Sequence, residues 1–340
     1  MSQRLRLLIL AAVCFACMSP APAPGQEYTI KFATLAPEGS SWIKLMRDYD
    51  KAVRDQSGGR VGFKIYAGGV AGDEKDVIRK IRIGQYHSGG FTGVGIGEAA
   101  KDVRILDAPF LFRNYDEVDY ITDKFGSQFE QSLEQGGFVL LGWAEVGFVY
   151  VFSNTPIASP EDLRGVKMWM WEGDPIAQAA FQAIGFSPIQ LSITDVTTSL
   201  QTGMINAVYS SPYAMIALGW FTKMRYMMSV PIAISNGAVL VSKKTFDGLP
   251  KDLQDILVTN GRKYFRQLTL TSRKENEESI ETLKKKGISV IVPSKDVTAQ
   301  FYATGQKARE LLVGKLFTQQ FLDQVDAALA TYRKEHASAK

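Results

Sequence analysis

Residues 28–85 alternate between strand and helix patterns, and this order restricts the fold more than any other feature of the chain. YTIKFATL (28–35) alternates apolar and polar positions, as a strand does. SSWIKLMRDYDKAVRDQSGG then carries apolar residues at helical spacing between a serine N-cap and a Gly-Gly stop. RVGFKIYAGG predicts a second strand, and GDEKDVIRKIRIGQ a second helix. Because such strand–helix repeats usually build parallel sheets, we predict an α/β fold with a mainly parallel sheet.

A second series of units follows the turn-rich connection NTPIASPEDLRG. It contains the strand around KMWMW, a helix capped by Asp174 with Pro175 at its first position, and the strand SPIQL. A helix near TDVTTSLQTG and the strand INAVYSS complete it. Between the two series, GGFVLLGWAEVGFVYVFSN is interrupted by Glu145 and Gly147, so it predicts a strand pair rather than a membrane helix.

The segment from Asp247 to Gly287 is one continuous helical pattern of roughly 35 residues, against the usual 10–14. A helix of that length can span two lobes of a protein.

The first 25 residues have the pattern of an export signal. Arg4 and Arg6 precede the apolar run Leu7–Met18, and small residues follow it, so we expect cleavage near Gly25 and a periplasmic mature chain. The run is too short for a comfortable membrane span.

The only two cysteines, Cys14 and Cys17, lie inside this signal, and no small apolar lipobox precedes Cys17. We therefore expect neither a redox pair nor a lipid anchor.

Several chemistries have little support in the remaining chain. Its only histidines are His87 and His336, which argues against a transition-metal site. GVGIG (93–97) lacks the spacing of a dinucleotide-binding loop, and no G-x-S-x-G elbow occurs, so we expect no cofactor and no enzyme. Removal of the two signal arginines lowers the net charge from +4 to +2, which gives no reason to expect nucleic-acid binding.

Five segments, in this order, carry a family resemblance: GGVAGDEKDVIRKIRIGQY, LDAPFLFRNYDEV, EDLRGVKMWM, AIGFSPIQL and SLQTGMINAVYSSP. Together they resemble the solute-binding receptors of tripartite ATP-independent periplasmic (TRAP) transporters, the DctP family. The resemblance covers nearly all of the mature chain, and its specificity comes from the order and spacing of degenerate motifs. It implies a receptor that closes on a small ligand, usually an organic acid, and delivers it to a sodium-driven membrane permease. Some members with apolar clefts also use a periplasmic tetratricopeptide-repeat partner.

The resemblance further implies a two-lobed periplasmic-binding-protein fold, with the ligand cleft between the lobes and a long helix that spans them. We expect lobe I to comprise residues 26–150 and about 238–280. Lobe II would comprise residues 151–237 and about 281–335.

The chain departs from the family at the positions that usually grip the ligand. Trp169 stands where the common pattern G-x-K-x-R places an arginine that binds the substrate carboxylate with two hydrogen bonds. The other departures are Val149 and Gly95 near the positions of two further arginines, Val208-Tyr209-Ser210 in place of Gln-Glu-Asn, Ile193 in place of an aromatic residue, and Leu35 in place of a polar one.

These departures change the expected ligand. A buried carboxylate without a cation or several hydrogen bonds costs several kcal/mol, whereas each buried methylene contributes about 0.8 kcal/mol. We therefore predict a hydrophobic or aromatic ligand, such as a lipid-like molecule or an aromatic acid. One alternative is a conventional carboxylate receptor whose cation is Lys167 or Arg113. A secreted hydrolase is a further alternative, which the two histidines and the missing nucleophile disfavour.

The other site candidates have structural alternatives. Phe91 and Thr92 follow a strand end, where open α/β sheets tend to bind ligands, although Phe91 could equally be core. Trp171 shares a strand face with Trp169 and is as consistent with core as with cleft. The Tyr209 hydroxyl could orient a polar head group.

For the remaining candidate residues, the alternatives are helix capping and core packing. Asp73 is a ligand candidate that an N-cap of the helix EKDVIRK explains equally well. For Glu172 and Asp174 we favour an exposed acid and a helix cap over a catalytic pair. Met227 and Met228 either line the lobe boundary or fill the core.

Overall fold

The computed structural model describes residues 26–336, so the signal, its cleavage near Gly25 and both cysteines lie outside the described residues. The strands are β1 Tyr28–Thr34, β2 Val61–Tyr66, β3 Ser88–Thr92, β4 Phe138–Trp143, β5 Gly147–Ser153, β6 Trp169–Trp171, β7 Ile189–Leu191, β8 Ala207–Ser210, β9 Tyr226–Met228, β10 Ala233–Ser235, β11 Gly237–Ser242 and β12 Ser289–Ile291. The helices are α1 Ser41–Gln56, α2 Glu74–Arg82, α3 Gly93–Ala99, α4 Tyr115–Lys124, α5 Gly126–Gln135, α6 Pro175–Ala183, α7 Val196–Thr202, α8 Pro212–Ala217, α9 Lys243–Asp247, α10 Lys251–Lys285, α11 Lys295–Glu310 and α12 Gln319–His336.

The first sheet has the strand order β2-β1-β3-β11-β4. β1 runs parallel to β2 and β3, as the strand–helix repeats predict, but β11 is antiparallel to β3 and β4, so the sheet is mixed rather than mainly parallel. The predicted caps are also present: the Ser40 hydroxyl accepts a hydrogen bond from the amide of Ile43, and Asp174 caps α6 ahead of Pro175.

The second sheet has the order β10-β5-β9-β12, with β8 also paired to β5. The prediction that residues 138–153 form a strand pair is half right. Both strands exist, but β4 belongs to the first sheet and β5 to the second, so they do not pair with each other. The chain passes between the sheets at the buried Glu145, whose carboxylate pairs with Arg273 of α10 at 2.8 Å.

Helix α10 has 35 residues, as predicted, and packs on both lobes. Its Leu253 and Phe265 lie in a buried cluster with Phe32 and Tyr49 of the first lobe. Its last turn places Leu283 in a cluster with Trp169 of the second lobe. The helix therefore forms a shared support for both sheets.

The C-terminal helix packs on the first lobe, which differs from the expectation that residues up to 335 belong to lobe II. Phe321 of α12 lies 6.0 Å from Phe129 of α5, ring centroid to centroid, and Leu329 joins the same buried cluster. An amphipathic pattern shows that a helix has a buried face but not which lobe covers it.

Substitution of Gly261 by alanine is expected to destabilise the protein. Gly261 lies in α10 against the Leu141 backbone, where a Cβ would meet the Leu141 carbonyl oxygen. Helix propensity alone would favour alanine by up to about 1 kcal/mol, but overpacking typically costs about 1–3 kcal/mol. Gly261→Ala should lower the thermal midpoint, measured by circular dichroism. The control is Gly126→Ala, where the added Cβ meets nothing; equal midpoints for the two variants would contradict the close packing.

Candidate ligand-binding cleft

A cavity of about 440 Å³ lies between the two sheets. The ends of β1 and β3 form one wall, and β5, β6 and β8 form the opposite wall. Nine of the ten predicted site residues line it: Leu35, Phe91, Thr92, Val149, Trp169, Trp171, Ile193, Tyr209 and Ser210. The sequence prediction therefore brought together residues that are also close in space.

Four aromatic side chains form one wall of the cavity, and we call them the indole cluster: Trp169, Trp171, Tyr209 and Trp220. The Trp169 ring stacks on Tyr209 with centroids 4.9 Å apart, and the edge of Trp220 meets it at 5.7 Å. Trp171 lies 5.9 Å from Trp169 on the same strand face, as alternation predicts. Trp169 is only 2% exposed. Both indole nitrogens already donate hydrogen bonds, Trp169 to the Leu191 carbonyl and Trp171 to Asp73, so the cluster presents ring surface to the cavity.

Asp73 is the predicted site residue that does not line the cavity, and it stands at the N-cap position of α2. Its carboxylate makes no hydrogen bond to its own helix. It accepts hydrogen bonds from the Trp171 indole at 3.0 Å, the Ser192 hydroxyl at 2.7 Å and the Ile193 amide at 3.3 Å. All three donors belong to the second lobe, so Asp73 joins the lobes.

Lys75, two residues further along α2, makes a second contact between the lobes. Its ammonium donates to the carbonyl oxygens of Glu172 and Gly173, each at 2.9 Å. Glu172 is exposed, as predicted, and takes part through its backbone. Together with Asp73, this contact connects the two lobes beside the cavity.

A buried ion cluster forms another part of the cavity wall. Arg104 donates from Nε to Asp107 and from Nη2 to Asp174, both at 2.9 Å. All three side chains are nearly inaccessible to water. Burial lowers the pKa of Arg104, but the two carboxylates raise it above its usual value. Burial raises the pKa of Asp107 to about 6 in spite of the arginine.

Glu74 is a fourth buried ionisable group on the cavity wall. Its carboxylate accepts hydrogen bonds from the amide and hydroxyl of Thr92 at 2.8 and 2.9 Å, and from the amide of Gly95 at 2.7 Å. Burial raises the pKa of Glu74 to about 7, while these hydrogen bonds act in the opposite direction.

The glycine-rich GVGIG stretch creates the space for these charges. It opens a helix, α3, which Thr92 caps and which follows β3 rather than the first strand. A Cβ on Gly93 would overlap the Asp107 carboxylate, and one on Gly95 would lie 2.9 Å from Glu74. These glycines therefore allow the buried acids to pack closely against the backbone of α3.

Neither alternative cation lies at the cavity. Arg113 is exposed, and the Lys167 ammonium donates to the Gly203 carbonyl on the surface. Among the described residues that line the cavity, Arg104 is the only basic side chain. Of the two methionines, Met228 lines the cavity, whereas Met227 lies in the adjacent core.

Sequence reasoning missed several lining residues, including Trp42, Glu74, Arg104, Phe110, Phe181 and Trp220. Arg104 carried a signal, since VRILDAPF places an arginine and an aspartate three residues apart in an otherwise apolar run. The others resemble ordinary core residues in the sequence.

Within residues 26–336, no helix is both long and apolar enough to cross a membrane. No group of three or more histidine, cysteine or acidic residues in that range could hold a metal ion.

Comparison with known proteins agrees with the fold. The sequence model described as bacterial extracellular solute-binding protein, family 7 (DctP), matches residues 32–312. The C4-dicarboxylate-binding periplasmic protein DctP of Rhodobacter capsulatus is 22% identical over 84% of this chain and 86% of its own. The 2,3-diketo-L-gulonate-binding periplasmic protein YiaO of Escherichia coli K12 is 26% identical over 78% and 81%.

Solved structures show the same architecture. A TRAP periplasmic solute-binding protein from Pseudomonas putida F1, with bound D-glucuronate, superposes with a TM-score of 0.80 at 26% identity, covering 88% of this chain and 96% of that one. One from Desulfovibrio salexigens, with bound orotic acid, has a TM-score of 0.82 at 19% identity, covering 89% and 99%.

A two-lobed α/β fold with a cavity between its sheets defines the class of periplasmic-binding-protein-like receptors. Within that class, the chain belongs to the bacterial extracellular solute-binding protein family 7, the DctP family, and is a TRAP-type solute-binding receptor. The resemblance inferred from the sequence motifs is confirmed.

Removal of the Asp73 carboxylate is expected to shift the protein toward an open state. Hydrogen bonds to a charged group contribute about 1.5–3 kcal/mol, so Asp73→Ala should change the ratio of open to closed molecules tenfold or more. Small-angle X-ray scattering should show a larger radius of gyration. The control is Asp76→Ala on the same helix, which removes an exposed pair with Arg79. Identical scattering from both variants would show that Asp73 does not hold the lobes together.

Glu74 is expected to make stability depend on pH. Because its folded pKa of about 7 lies above the unfolded value of 4.5, the native state retains the proton longer. The free energy of unfolding should therefore fall by about 3 kcal/mol as pH rises from about 4.5 to 7, and stay level above. Glu74→Gln should reduce this difference, measured as urea midpoints at pH 5 and 8, while Glu98→Gln at an exposed position of α3 should keep it. If the urea midpoint of Glu74→Gln changed with pH as much as that of the wild type, Glu74 would not be the source of the pH dependence.

Proposed function

We propose that this receptor captures a hydrophobic or aromatic ligand in the periplasm and delivers it to a TRAP membrane permease. The observation that carries the proposal is the lining of the cavity, where the indole cluster and aliphatic side chains surround a single basic group. Two carboxylates already neutralise that group, Arg104.

The charges on the wall favour a ligand without negative charge. Three carboxylates, those of Glu74, Asp107 and Asp174, line the cavity against one guanidinium. A ligand carboxylate would lose its hydration there without gaining an unpaired cation, which costs several kcal/mol. Apolar groups gain free energy on entering such a site.

A carboxylate ligand is the alternative, and the relatives favour it. The related protein from Pseudomonas putida binds D-glucuronate, and those from Rhodobacter capsulatus and Escherichia coli are named for organic acids. Arg104 is the group that could bind such an acid, provided that it leaves Asp174. The predicted tetratricopeptide-repeat partner stays a prediction without further support.

Two isosteric probes separate these functions. We expect 1-naphthamide to bind at least tenfold more tightly than 1-naphthoate at pH 8 by isothermal titration calorimetry, because only the acid introduces a charge. Asp174→Asn should reduce this preference about tenfold, since asparagine can still cap α6 while one carboxylate leaves Arg104.

The surface variant Asp76→Asn makes the same change in charge and should behave as wild type. If D-glucuronate binds and neither naphthyl compound does, the carboxylate receptor is the correct function.

A further inference from the structure

The cavity extends beyond the indole cluster into a second buried region. The indole cluster belongs to one hydrophobic cluster of the second lobe, together with Val196 and Met215. Other lining residues belong to a separate cluster, and we call this part of the cavity the apolar arm: Val151, Ile157, Leu163, Met168, Phe181, Ile184 and Phe301. A ligand in this cavity can therefore contact two cores at once.

Small residues on two neighbouring helices form the sides of the arm. Ala177 and Ala180 of α6 line it, as do Gly305 and Ala308 of α11. Residues three apart lie on one helix face, so each helix presents a small face to the cavity. From Ala177 to Ile184 the wall follows about two turns of α6, or about 10 Å.

The arm offers almost no hydrogen bonds to a ligand. Among the described lining side chains that pack in or beside this cluster, the polar ones are Thr304 and Tyr209, and the Tyr209 hydroxyl already accepts a hydrogen bond from the amide of Trp171. A polar molecule would lose its hydration there without replacement, whereas an aliphatic chain would not.

An aromatic residue in an unusual conformation, Phe110, also lines the cavity and packs on the same cluster as the arm. Phe110 has a φ of +53°, the only positive φ of a non-glycine residue within residues 26–336. Its ring stacks on Phe301 at 6.1 Å and rests on Gly305, where a Cβ would lie 2.6 Å from the ring. A bulky residue with positive φ is strained, and such strain persists only where the surroundings impose it.

Hydrogen bonds on both sides of Phe110 impose this backbone conformation. Its amide donates to the Ile232 carbonyl at 2.9 Å. Arg309 of α11 donates to the carbonyl of Pro109, the preceding residue, at 2.7 Å. The backbone is thus fixed both to the segment before β10 and to α11, which holds the ring against Phe301 on the cavity wall.

We propose that the apolar arm binds an unbranched aliphatic chain of the ligand and that Phe110 limits the length of that chain. The inference rests on the proposed function and specifies its ligand as an amphiphile, with a head group near the indole cluster. The cavity volume of about 440 Å³ lies in the range of roughly 300–1,000 Å³ that is usual for small-molecule sites. The ligand class is therefore a medium-length alkyl chain with an uncharged head.

Primary alcohols from hexanol to tetradecanol test the proposal by displacement of N-phenyl-1-naphthylamine fluorescence. Affinity should rise roughly fourfold for each added methylene and stop rising once the chain reaches Phe110. Phe110→Ala should move this limit to longer chains by two or more methylenes.

Ala180→Leu should lower decanol affinity at least tenfold, because it fills the arm. Ala183→Leu, the same change at a position of α6 outside the cavity, should leave the chain-length profile unchanged. If Ala180→Leu does not fold, the shift in Phe110→Ala still decides the proposal.

The outcomes distinguish this inference from the proposed function. Suppose that 1-naphthamide binds, but that alcohol affinity does not depend on chain length or that Phe110→Ala does not change the maximum chain length. The apolar arm then does not hold an alkyl chain, while the proposed function as a receptor for an apolar ligand stands. If neither 1-naphthamide nor any alcohol binds, both proposals fail.

Discussion

The geometry of the cleft depends on the buried bridge from Asp107 through Arg104 to Asp174. Asp107 also accepts a hydrogen bond from the amide of Asn236 at 2.8 Å, at the point where the chain passes from β10 to β11. Asp174 also caps α6 through the amide of Ile176. The bridge therefore fixes the crossing between sheets and the start of a cavity-lining helix at once. Loss of one member would leave an unpaired buried charge, which typically costs about 3–5 kcal/mol.

Closure of the lobes and capture of the ligand use separate groups in this protein. The resemblance implies that typical members grip a ligand carboxylate with an arginine, so that the ligand itself supplies charge across the cleft. Here Asp73, Lys75 and Arg104 connect the lobes through protein groups alone. Under the proposed function, the ligand then has to provide only apolar surface. The cavity is consistent with this separation of lobe contacts from ligand contacts. Among the described lining residues, its only basic side chain, Arg104, is already paired with carboxylates.

The sequence predicted those features that depend on local patterns. Strand alternation, the Ser40 and Asp174 caps and the uninterrupted helix α10 follow from periodicity and from residues a few positions apart. The site residues were inferred from their correspondence to family positions, and nine of the ten line the cavity. The role of Asp73 was not predictable, since its donors Trp171 and Ser192 lie about a hundred residues away. The apolar arm was hidden for a similar reason, because Ala180 and Gly305 read as ordinary helix residues until α6 and α11 come together.

The two tryptophans of GVKMWMWEGD have different physical roles, although they share one strand face. Trp169 stands where the resemblance implies an arginine, and it is held on three sides by Trp171, Tyr209 and Trp220. Its packed indole ring therefore puts an apolar surface where a cation is expected, and it occupies part of the cavity. Trp171 donates from its indole to Asp73 and from its backbone to the Tyr209 hydroxyl, so it links the wall to the opposite lobe. A change in the shape of the wall would thus reach the contact that holds the lobes closed, which couples ligand fit to closure through one strand.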